Sequence, residues 1–500
     1  MMKNPWIPAP ATAVLAAAAL LTSFAVPALA ADGEMTQFGY DRSRNMISDA
    51  TGLATEWDVR SGKNIKWSQP AGSQSYAGPV IGGGVVLIGT NNEGLRNPDI
   101  KGDKGNIMAF DEETGEFLWQ IIHDKLPESK LHDWPLQGVC STPVIEGEIF
   151  YYVSNRAEVV AADLRGFRDG ENDGPYKDEK LTGEYAGDIL WKLDTMGELD
   201  VFPHNLAVSS PIIVGDLIFI TTGNGVDEGH INVPAPQAPS FLAIHKKTGE
   251  VVWENADPGE DILHGTWSNA SYGVVKGRPQ VIMPGGDGWV YSFEPKTGEL
   301  LWKFNTNPEG SEWKLGGAGT KNNLIGMGVI HDDKVYIAVG QDPEHGEGPG
   351  NLWAIDATKS GDITKTGAVW HRGGEDFNRT ISTAAIQDGI LYITDLSGFL
   401  YALDAKTGEH YWTYDAFAAV WGSPYAADGK IYLGDEDGDI VVLKQGKKLV
   451  ELAEQNVGAA VYTTPLAKDG VIYILARNEL FAIEEGATPA KKTDEAKKAR

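Results

Sequence analysis

The sequence predicts an all-β protein, an eight-bladed β-propeller of four-stranded antiparallel blades. The main observation is a phrase of the form Ala-Leu-Asp-Ala-Lys-Thr-Gly-Glu-His-Tyr-Trp, found at 402–412. Related phrases occupy 109–119, 243–253 and 292–302, and two interrupted copies span 161–191 and 354–370. A phrase repeated at intervals of roughly 40–70 residues indicates one supersecondary unit stacked many times.

Each copy of the phrase has the pattern of a β-hairpin. The alternating run at 400–403 is typical of a strand, Asp404 can bond the backbone two residues on, and Gly408 supplies a positive φ for the turn. The second run ends in Trp, whose ring can pack between blades and donate its indole N–H. Upstream runs such as 381–386 and 390–394 complete four strands, which make one blade.

The count of units predicts how the ring closes. Full units end at Trp119, Trp191, Trp253, Trp302, Trp370 and Trp412. A seventh unit ends at 449–452 without its Trp, and an eighth stops after 480–483, one strand short. The segment 64–67, Asn-Ile-Lys-Trp, has the missing ending and no blade of its own. We therefore predict that it closes blade 8 as the fourth strand, which removes exposed sheet edges.

The ends of the chain predict export. Residues 1–30 have a basic start, an apolar stretch and Ala28-Leu29-Ala30, the pattern of a signal peptide cleaved near Ala30/Ala31. No other stretch is apolar enough to span a membrane. We expect a periplasmic or secreted protein, soluble after cleavage, with an N-terminal extension at 31–63, the propeller at 64–485 and a disordered tail at 486–500.

Charge and cysteine content exclude some classes of protein. Forty-two basic and seventy acidic residues give a net charge of −28, which argues against nucleic-acid partners. The single cysteine, Cys140, permits no internal disulfide. Its place before Ser141-Thr-Pro143 in a predicted strand favours a small buried side chain over a reactive thiol.

The repeated phrase resembles the tryptophan-docking motif of the pyrroloquinoline quinone (PQQ) propeller superfamily over about residues 60–485. That group contains quinoprotein alcohol dehydrogenases and PQQ-like propellers without known redox chemistry. The segments 169–176 and 51–57 are similar to secreted PQQ-like propellers of planctomycete-type bacteria. The resemblance implies PQQ and Ca²⁺ as cofactors where the dehydrogenase site is intact.

Two features of that site differ here. Thr222-Gly-Asn224-Gly resembles the loop whose Asn binds Ca²⁺ in the dehydrogenases, but Ser268 stands where the resemblance implies the catalytic Asp. A serine cannot replace a carboxylate base or a charged metal ligand. One Cys also excludes the vicinal cysteine pair of those enzymes. Catalytic residues therefore stay unassigned.

Alignment of the repeats predicts which side chains face the axial funnel. These residues precede the innermost strands, and together they offer rings for stacking and cations for carboxylates. They are Tyr76, Gln137, His204, Asn205, His264, Trp267, Lys321, Asn322, Asn323, Asn378, Arg379, Trp421 and Tyr462. With Asn224, they predict a site for a small anionic or sugar-like ligand, PQQ included. The alternative is a wet channel filled with hydrogen bonds.

Two loops carry ligands suited to a transition metal. They follow the second strands of blades 3 and 5 and hold Asn224, Asp227 and His230, and His345. Equivalent positions two blades apart predict that the loops share one face. A third loop, 169–180, has the first spacings of a calcium loop but Lys180 in place of its bidentate Glu.

We therefore expect an exported, catalytically degenerate propeller that binds a ligand or an exported protein as a scaffold. The alternative is a PQQ- and metal-dependent dehydrogenase oxidising an alcohol or a sugar, and a further one is carbohydrate cleavage by the His and carboxylate loops. The retained Asn224 and the stacking rings favour the dehydrogenase, whereas Ser268 favours the scaffold.

Overall fold

The computed structural model describes residues 35–127 and 129–488, so the predicted signal peptide and residues 489–500 of the predicted tail lie outside the described residues. Eight antiparallel sheets form the eight blades of a propeller, which confirms the predicted fold class. In this part of the chain, no helix has the length and apolar character needed to cross a membrane.

Each blade runs from an innermost strand at the axis to an outer strand. Blade 1 consists of Val80–Gly82, Val85–Asn91, Lys104–Asp111 and Phe117–Asp124, and blade 2 of Val144–Glu146, Ile149–Val153, Glu158–Asp163 and Asp188–Asp194. Blade 3 consists of Ile212–Val214, Leu217–Thr221, Phe241–His245 and Val251–Asn255, and blade 4 of Ser271–Val275, Arg278–Pro284, Trp289–Phe293 and Leu300–Asn305. Blade 5 consists of Val329–His331, Lys334–Val339, Pro349–Asp356 and Ala368–Asn378, and blade 6 of Ala385–Gln387, Ile390–Thr394, Phe399–Asp404 and His410–Asp415. Blade 7 consists of Tyr425–Ala427, Lys430–Gly434, Asp439–Lys444 and Glu451–Asn456, and blade 8 of Leu466–Lys468, Val471–Leu475, Glu479–Glu484 and Ile65–Pro70.

The ring closes through the N-terminal strand, as the count of units predicts. Ile65–Pro70 pairs antiparallel with Glu479–Glu484, with Trp67 opposite Ala482. Blade 8 is therefore built from both ends of the propeller sequence, and the first and last blades cannot separate without breaking a sheet.

The helical segments are short and lie in the loops. They are the α-helices Ser129–His132 and Thr195–Leu199 and the 3-10 helices Gly166–Asp169, Gly259–Asp261, Leu315–Gly317 and Pro343–His345. One insertion adds an unpredicted element, because Gly361–Asp362 pairs in parallel with the outer strand of blade 4. The loop that interrupts one repeat thus covers the free edge of its neighbour.

Among the described residues, six of the eight blades are joined to the next by a direct hydrogen bond from a Trp of the outer strand, whereas the outer strand of blade 7, Glu451–Asn456, has no Trp. The indole N–H of Trp370 donates to the Ala405 carbonyl of blade 6 at 3.0 Å. Its ring lies over Gly408, where a Cβ would come within 2.8 Å of the indole. In the described residues, the same inter-blade bond, at 2.8–3.1 Å, joins Trp67 to Glu112, Trp119 to Leu164, Trp191 to Lys246, Trp253 to Pro295 and Trp412 to Gly446.

Blade 4 reaches blade 5 by a relay. Its Trp302 donates to Gln280 Oε1 at 2.8 Å, and Gln280 Nε2 donates to the Ala357 carbonyl of blade 5 at 2.9 Å. The repeat of blade 5 is interrupted just after Ala357. The Gln280 amide therefore completes the connection that an indole makes directly elsewhere.

A second ring of bonds lies close to the axis. The Thr383 N–H donates to the Ser423 hydroxyl at 2.9 Å, and the Ser423 N–H donates to Thr464 Oγ1 at 3.0 Å. The same kind of bond joins Gly78 to Thr142, Thr142 to Ser210, Ser210 to Asn269 and Met327 to Thr383. All these residues lie two positions before an innermost strand, so short polar side chains there tie neighbouring blades together.

The N-terminal segment 35–48 covers one end of the axis. Amides of innermost strands donate to its carbonyls at 2.7–3.1 Å, namely Ile81 to Met35, Ile145 to Thr36, Tyr272 to Arg42 and Ile330 to Ser43. Arg44 is fully buried, and its guanidinium donates to carbonyls of Phe38, Ser210, Pro211 and Ala270. This segment thus pairs backbone groups that the inner strand edges would leave free.

The contact between Gly408 and Trp370 predicts a measurable asymmetry between two glycines of blade 6. Both Gly408 and Gly389 have positive φ, but a Cβ at Gly389 meets no atom within 4 Å. We expect Gly389→Ala to lower the free energy of unfolding by about 1–2 kcal/mol through backbone strain. Gly408→Ala should cost at least about 1 kcal/mol more because the indole must shift. Urea unfolding measures both, and equal losses would contradict the docking of Trp370 on this turn.

Candidate functional site

An axial cavity of about 320 Å³ lies where the eight blades meet. Its wall comes mainly from positions four and two residues before each innermost strand, and Phe38 of the N-terminal segment also lines it. The first position supplies Tyr76, Cys140, Val208, Trp267, Ile325, Ile381, Trp421 and Tyr462; the second supplies Thr142, Ser210, Asn269, Met327, Thr383, Ser423 and Thr464. Side chains two residues apart share a face in extended chain, which explains the two rings.

One side of the wall is aromatic. Tyr76 stacks on Tyr462 with ring centroids 5.1 Å apart, and Trp421 lies 4.8 Å from Tyr462 and 5.9 Å from Tyr76. Trp134 and Trp267 also line the cavity. These rings offer broad apolar faces to a planar or ring-shaped group.

The charged groups in the wall are acidic. Asp342 and Glu344 line the cavity, and no Lys or Arg does among the described residues. Burial raises the pKa of Asp342, although its bond from the Glu344 N–H acts in the opposite direction. Of the two predicted ligand classes, anionic and sugar-like, the wall therefore suits the neutral sugar-like one better than an anion.

The predicted funnel residues divide into two groups. Gln137, Asn205, Trp267 and Trp421 line the cavity, as do Tyr76 and Tyr462. His204, Asn224, His264, Lys321, Asn322, Asn323, Asn378 and Arg379 are absent from its wall. Lys321, Asn323, Asn378 and Arg379 stand six to eight positions before their innermost strands, beyond the two rings of wall residues.

Several residues of the second group hold loops together. The Arg379 guanidinium donates to the Gly317 and Gly319 carbonyls at 2.5 and 2.7 Å, and the Asn378 amide donates to Asp395 at 2.9 Å. The buried side-chain amide of Asn323 has no hydrogen-bond partner in the described chain. The Lys321 carbonyl accepts a bond from Gln341.

The residues present do not fit a quinone with Ca²⁺. PQQ is a polycarboxylate, and the cavity wall offers it carboxylates instead of cations. Asn224 is fully buried, with its amide oxygen bonded to the Phe202 N–H at 3.0 Å and its NH₂ group to the Ala235 carbonyl at 2.9 Å. Ser268 is also fully buried and donates to the Gly326 carbonyl at 2.8 Å. Neither side chain is available to a cofactor.

Four histidines meet beside the cavity. His230 Nε2 lies 3.1 Å from His204 Nε2 and 2.9 Å from His264 Nε2. His345 stacks on His264 with ring centroids 4.9 Å apart. Trp267 lies between this group and the cavity, since its ring lines the cavity and packs edge-on to His264 at 4.7 Å. The loops of blades 3 and 5 thus share one face, and His204 and His264 complete the group.

The histidine group is held by backbone pairing. Pro203 pairs with Asn224 and Gly225 with Gly265, which places the three supporting segments side by side. His204 Nδ1 lies 2.8 Å from the Val226 carbonyl. Because a carbonyl only accepts, Nδ1 carries the proton in a neutral ring and Nε2 has a free lone pair.

Burial favours the neutral form of two of these rings, His204 and His264. Burial lowers the pKa of His204 to about 4, opposed by its bond to the Val226 carbonyl. Burial and then the neighbouring histidines lower the pKa of His264 to about 2. Neutral imidazoles with converging lone pairs are the form that binds a metal ion.

Two predicted metal ligands are engaged elsewhere. Asp227 accepts bonds from the Ile231 N–H at 2.9 Å and the Asn232 amide at 2.7 Å, which fold its own loop. Asn224 supports the backbone as described above. His204 and His264 are predicted from the sequence as funnel residues, and the structure places them beside His230 instead.

A separate acidic group lies in blade 2. Carboxylate oxygens of Asp163, Asp169 and Asp173 lie within 4.8 Å of one another. Asp188, opposite Asp163 in the sheet, is fully buried, and its Oδ2 accepts the Asp173 N–H at 2.6 Å. Sequence spacing predicted Asp169 and Asp173 in a calcium loop, whereas Asp163 and Asp188 come from strands.

Repeats, blades and inter-blade indoles together define a protein of the PQQ-like propeller superfamily. The chain belongs to the family described as "Outer membrane protein assembly factor BamB", whose PQQ-type repeat profile matches residues 23–173, 182–361 and 286–485.

Sequence identity to individual proteins is low, and the share of the chain that matches differs between them. Outer membrane protein assembly factor BamB of Moranella endobia is 21% identical over 385 residues, 76% of this chain and 80% of that protein. Quinoprotein ethanol dehydrogenase of Pseudomonas aeruginosa is 26% identical over 178 residues, 31% of this chain and only 27% of the enzyme. The crystal structure of BamB from Moraxella catarrhalis shares the fold with a TM-score of 0.53 at 14% identity, covering 86% of this chain and 98% of that one.

The buried position of Cys140 predicts an inert thiol. Burial raises its pKa to about 12, so the thiolate fraction at pH 8 is about 10⁻⁴, against roughly a quarter for an ordinary thiol of pKa about 8.5. We expect a disulfide reagent to react with the folded protein about a thousandfold more slowly than with the protein in urea. Reaction at the rate of a free thiol would contradict this burial.

Proposed function

We propose that this chain is an exported PQQ-like propeller that acts as a binding scaffold and does not catalyse quinone-dependent oxidation. The observation that carries the proposal is the acidic and aromatic wall of the axial cavity, without Lys or Arg among the described lining residues. Such a wall suits a sugar ring or a basic side chain of a protein partner, because rings stack on both and carboxylates attract the cation.

The relatives support a scaffold over an enzyme. The match to an outer membrane protein assembly factor spans 80% of that protein, whereas the match to a quinoprotein dehydrogenase spans 27% of the enzyme. The signal-like segment 1–30 supports export. A protein of the exported fraction is accordingly the partner we propose.

The dehydrogenase alternative can be tested directly. We expect no binding when the purified chain is titrated with PQQ and Ca²⁺, measured by quinone absorbance and tryptophan fluorescence, and no reduction of a dye acceptor with alcohols or aldoses. A quinoprotein dehydrogenase of established activity serves as the positive control. Stoichiometric PQQ binding with substrate-dependent dye reduction would overturn the proposal.

The scaffold role predicts a partner that depends on the aromatic wall. Wild-type protein, Trp421→Ala and Phe417→Ala are used as baits in the exported fraction, and each recovered protein is purified and its affinity measured. Phe417 is 89% exposed and outside the cavity, so it is the matched control. We expect Trp421→Ala to weaken binding at least about tenfold, as for a central aromatic anchor. Equal affinity of all three baits for every partner would exclude the cavity as the binding site.

A further inference from the structure

We propose that His204, His230 and His264 form a binding site for one divalent transition-metal ion of the zinc class. The site lies outside the axial cavity and does not depend on the proposed scaffold function. Possible ligand nitrogens of the three residues all lie within 4.8 Å of one another. His204 and His264 are buried, with exposed fractions of 1% and 3%, and His230 is half-buried.

The distances match shared coordination. Two imidazole nitrogens bound to one ion at about 2.0–2.1 Å lie about 2.8–3.4 Å apart for angles between a right angle and the tetrahedral one. The two measured Nε2 separations are 2.9 and 3.1 Å. The two pairs that include His230 are thus spaced as ligands of one ion would be.

Hydrogen bonds among the three rings cannot give every Nε2 atom a suitable partner. His204 Nε2 offers a lone pair, because its Nδ1 proton is donated to the Val226 carbonyl. His230 Nε2 contacts both other rings and has at most one proton, which cannot point at two nitrogens at once. A metal ion would accept all three Nε2 lone pairs together.

The surrounding groups favour a site of this kind. The bond from His204 Nδ1 to a backbone carbonyl is the outer contact that fixes the tautomer of metal-binding histidines. Gly225 permits the close approach of two segments, since a Cβ there would lie 2.5 Å from the His264 carbonyl oxygen and 2.6 Å from the His204 Cβ. Contacts of the backbone therefore hold the segments that carry His204 and His264 close together.

The ligand set indicates the class of ion. Neutral imidazoles bind zinc, copper, nickel or iron, whereas Ca²⁺ and Mg²⁺ require oxygen ligands. Three protein ligands leave a fourth position for water or for a group from a partner. His345, stacked on His264, lies beside the group.

The ion can be detected by its stoichiometry and its ligand field. The mature chain, freed of any histidine tag, is stripped with chelator, loaded with Zn²⁺ or Co²⁺ and passed through a desalting column. We expect one zinc per chain by elemental analysis, and a visible Co²⁺ spectrum typical of nitrogen ligands that zinc abolishes. His230→Ala, at the half-buried position, should lower metal content at least tenfold.

Two controls keep the result interpretable. His410→Ala removes an exposed histidine bonded to Thr413 and should retain full metal content. Circular dichroism and unfolding temperature verify that His230→Ala is folded, and His264→Gln provides a second test. Wild-type protein without bound metal, or equal metal content in folded His230→Ala, would overturn the proposal.

A different observation carries a second inference, that the acidic group of blade 2 binds Ca²⁺. Oxygens of Asp163, Asp169 and Asp173 converge within 4.8 Å. The independent sign of a ligand is Asp188, which is fully buried beside them and has an Oδ1 with no partner in the described residues. The converging carboxylates of Asp163, Asp169 and Asp173 are hard oxygen ligands of the kind that Ca²⁺ prefers.

Calorimetric titration of the chelator-treated protein tests this second site. We expect Ca²⁺ to bind the wild type at one site and Mg²⁺ to bind it at least tenfold more weakly. Asp173→Asn should abolish that event, and Asp178→Asn, an exposed neighbour outside the acidic group, should leave it unchanged. Absence of Ca²⁺ binding to the wild type, or unchanged binding to Asp173→Asn, would overturn the inference. His230→Ala should still bind Ca²⁺, which separates the two sites.

Discussion

The structure depends on the contact between an indole ring and the Thr-Gly turn of the next blade. At Trp370, the ring covers Gly408 while the N–H donates to the Ala405 carbonyl, so one side chain supplies both packing and a directional bond. A blade alone cannot bury both of its faces, and stacking neighbours provides the missing cover. Trp67 makes the same contact from blade 8 to blade 1, so the N-terminal strand both completes a sheet and joins the ring.

The two ends of the propeller axis differ in the groups that cover them. The N-terminal segment pairs the inner strand edges at one end, and the buried Arg44 binds carbonyls of blades 3 and 4 there. The loops before the inner strands meet toward the other end and carry the rings, His204 and His264, whereas the loops after the second strands of blades 3 and 5 carry His230, His345 and the two carboxylates. Binding chemistry is thus concentrated on loops that a rigid scaffold holds in place.

The sequence predicted the fold better than the site. The repeated phrase encodes strand alternation, turn chemistry and the docking ring together, so eight blades and the closing strand followed from it. Whether a loop residue reaches the axis depends on its exact distance along the chain from the inner strand, because side chains four and two positions before that strand line the cavity. Trp421 stands four positions before its inner strand and lines the cavity, whereas Arg379 stands six positions before and binds backbone carbonyls. Likewise, His204 and His230 stand in separate loops of the sequence, and the backbone pairing of the segments that carry them brings the two side chains together.

The histidine group and the cavity share structural supports, and this sharing has a thermodynamic consequence. The short helix Pro343–His345 carries Glu344 in the cavity wall and His345 against His264, and Arg379 holds the carbonyl of His345. Trp267 likewise contacts both His264 and the cavity. An ion that fixes these histidines would also fix two sides of the wall. Because such coupling is reciprocal, a partner that binds better to the fixed wall must tighten binding of the ion by the same factor.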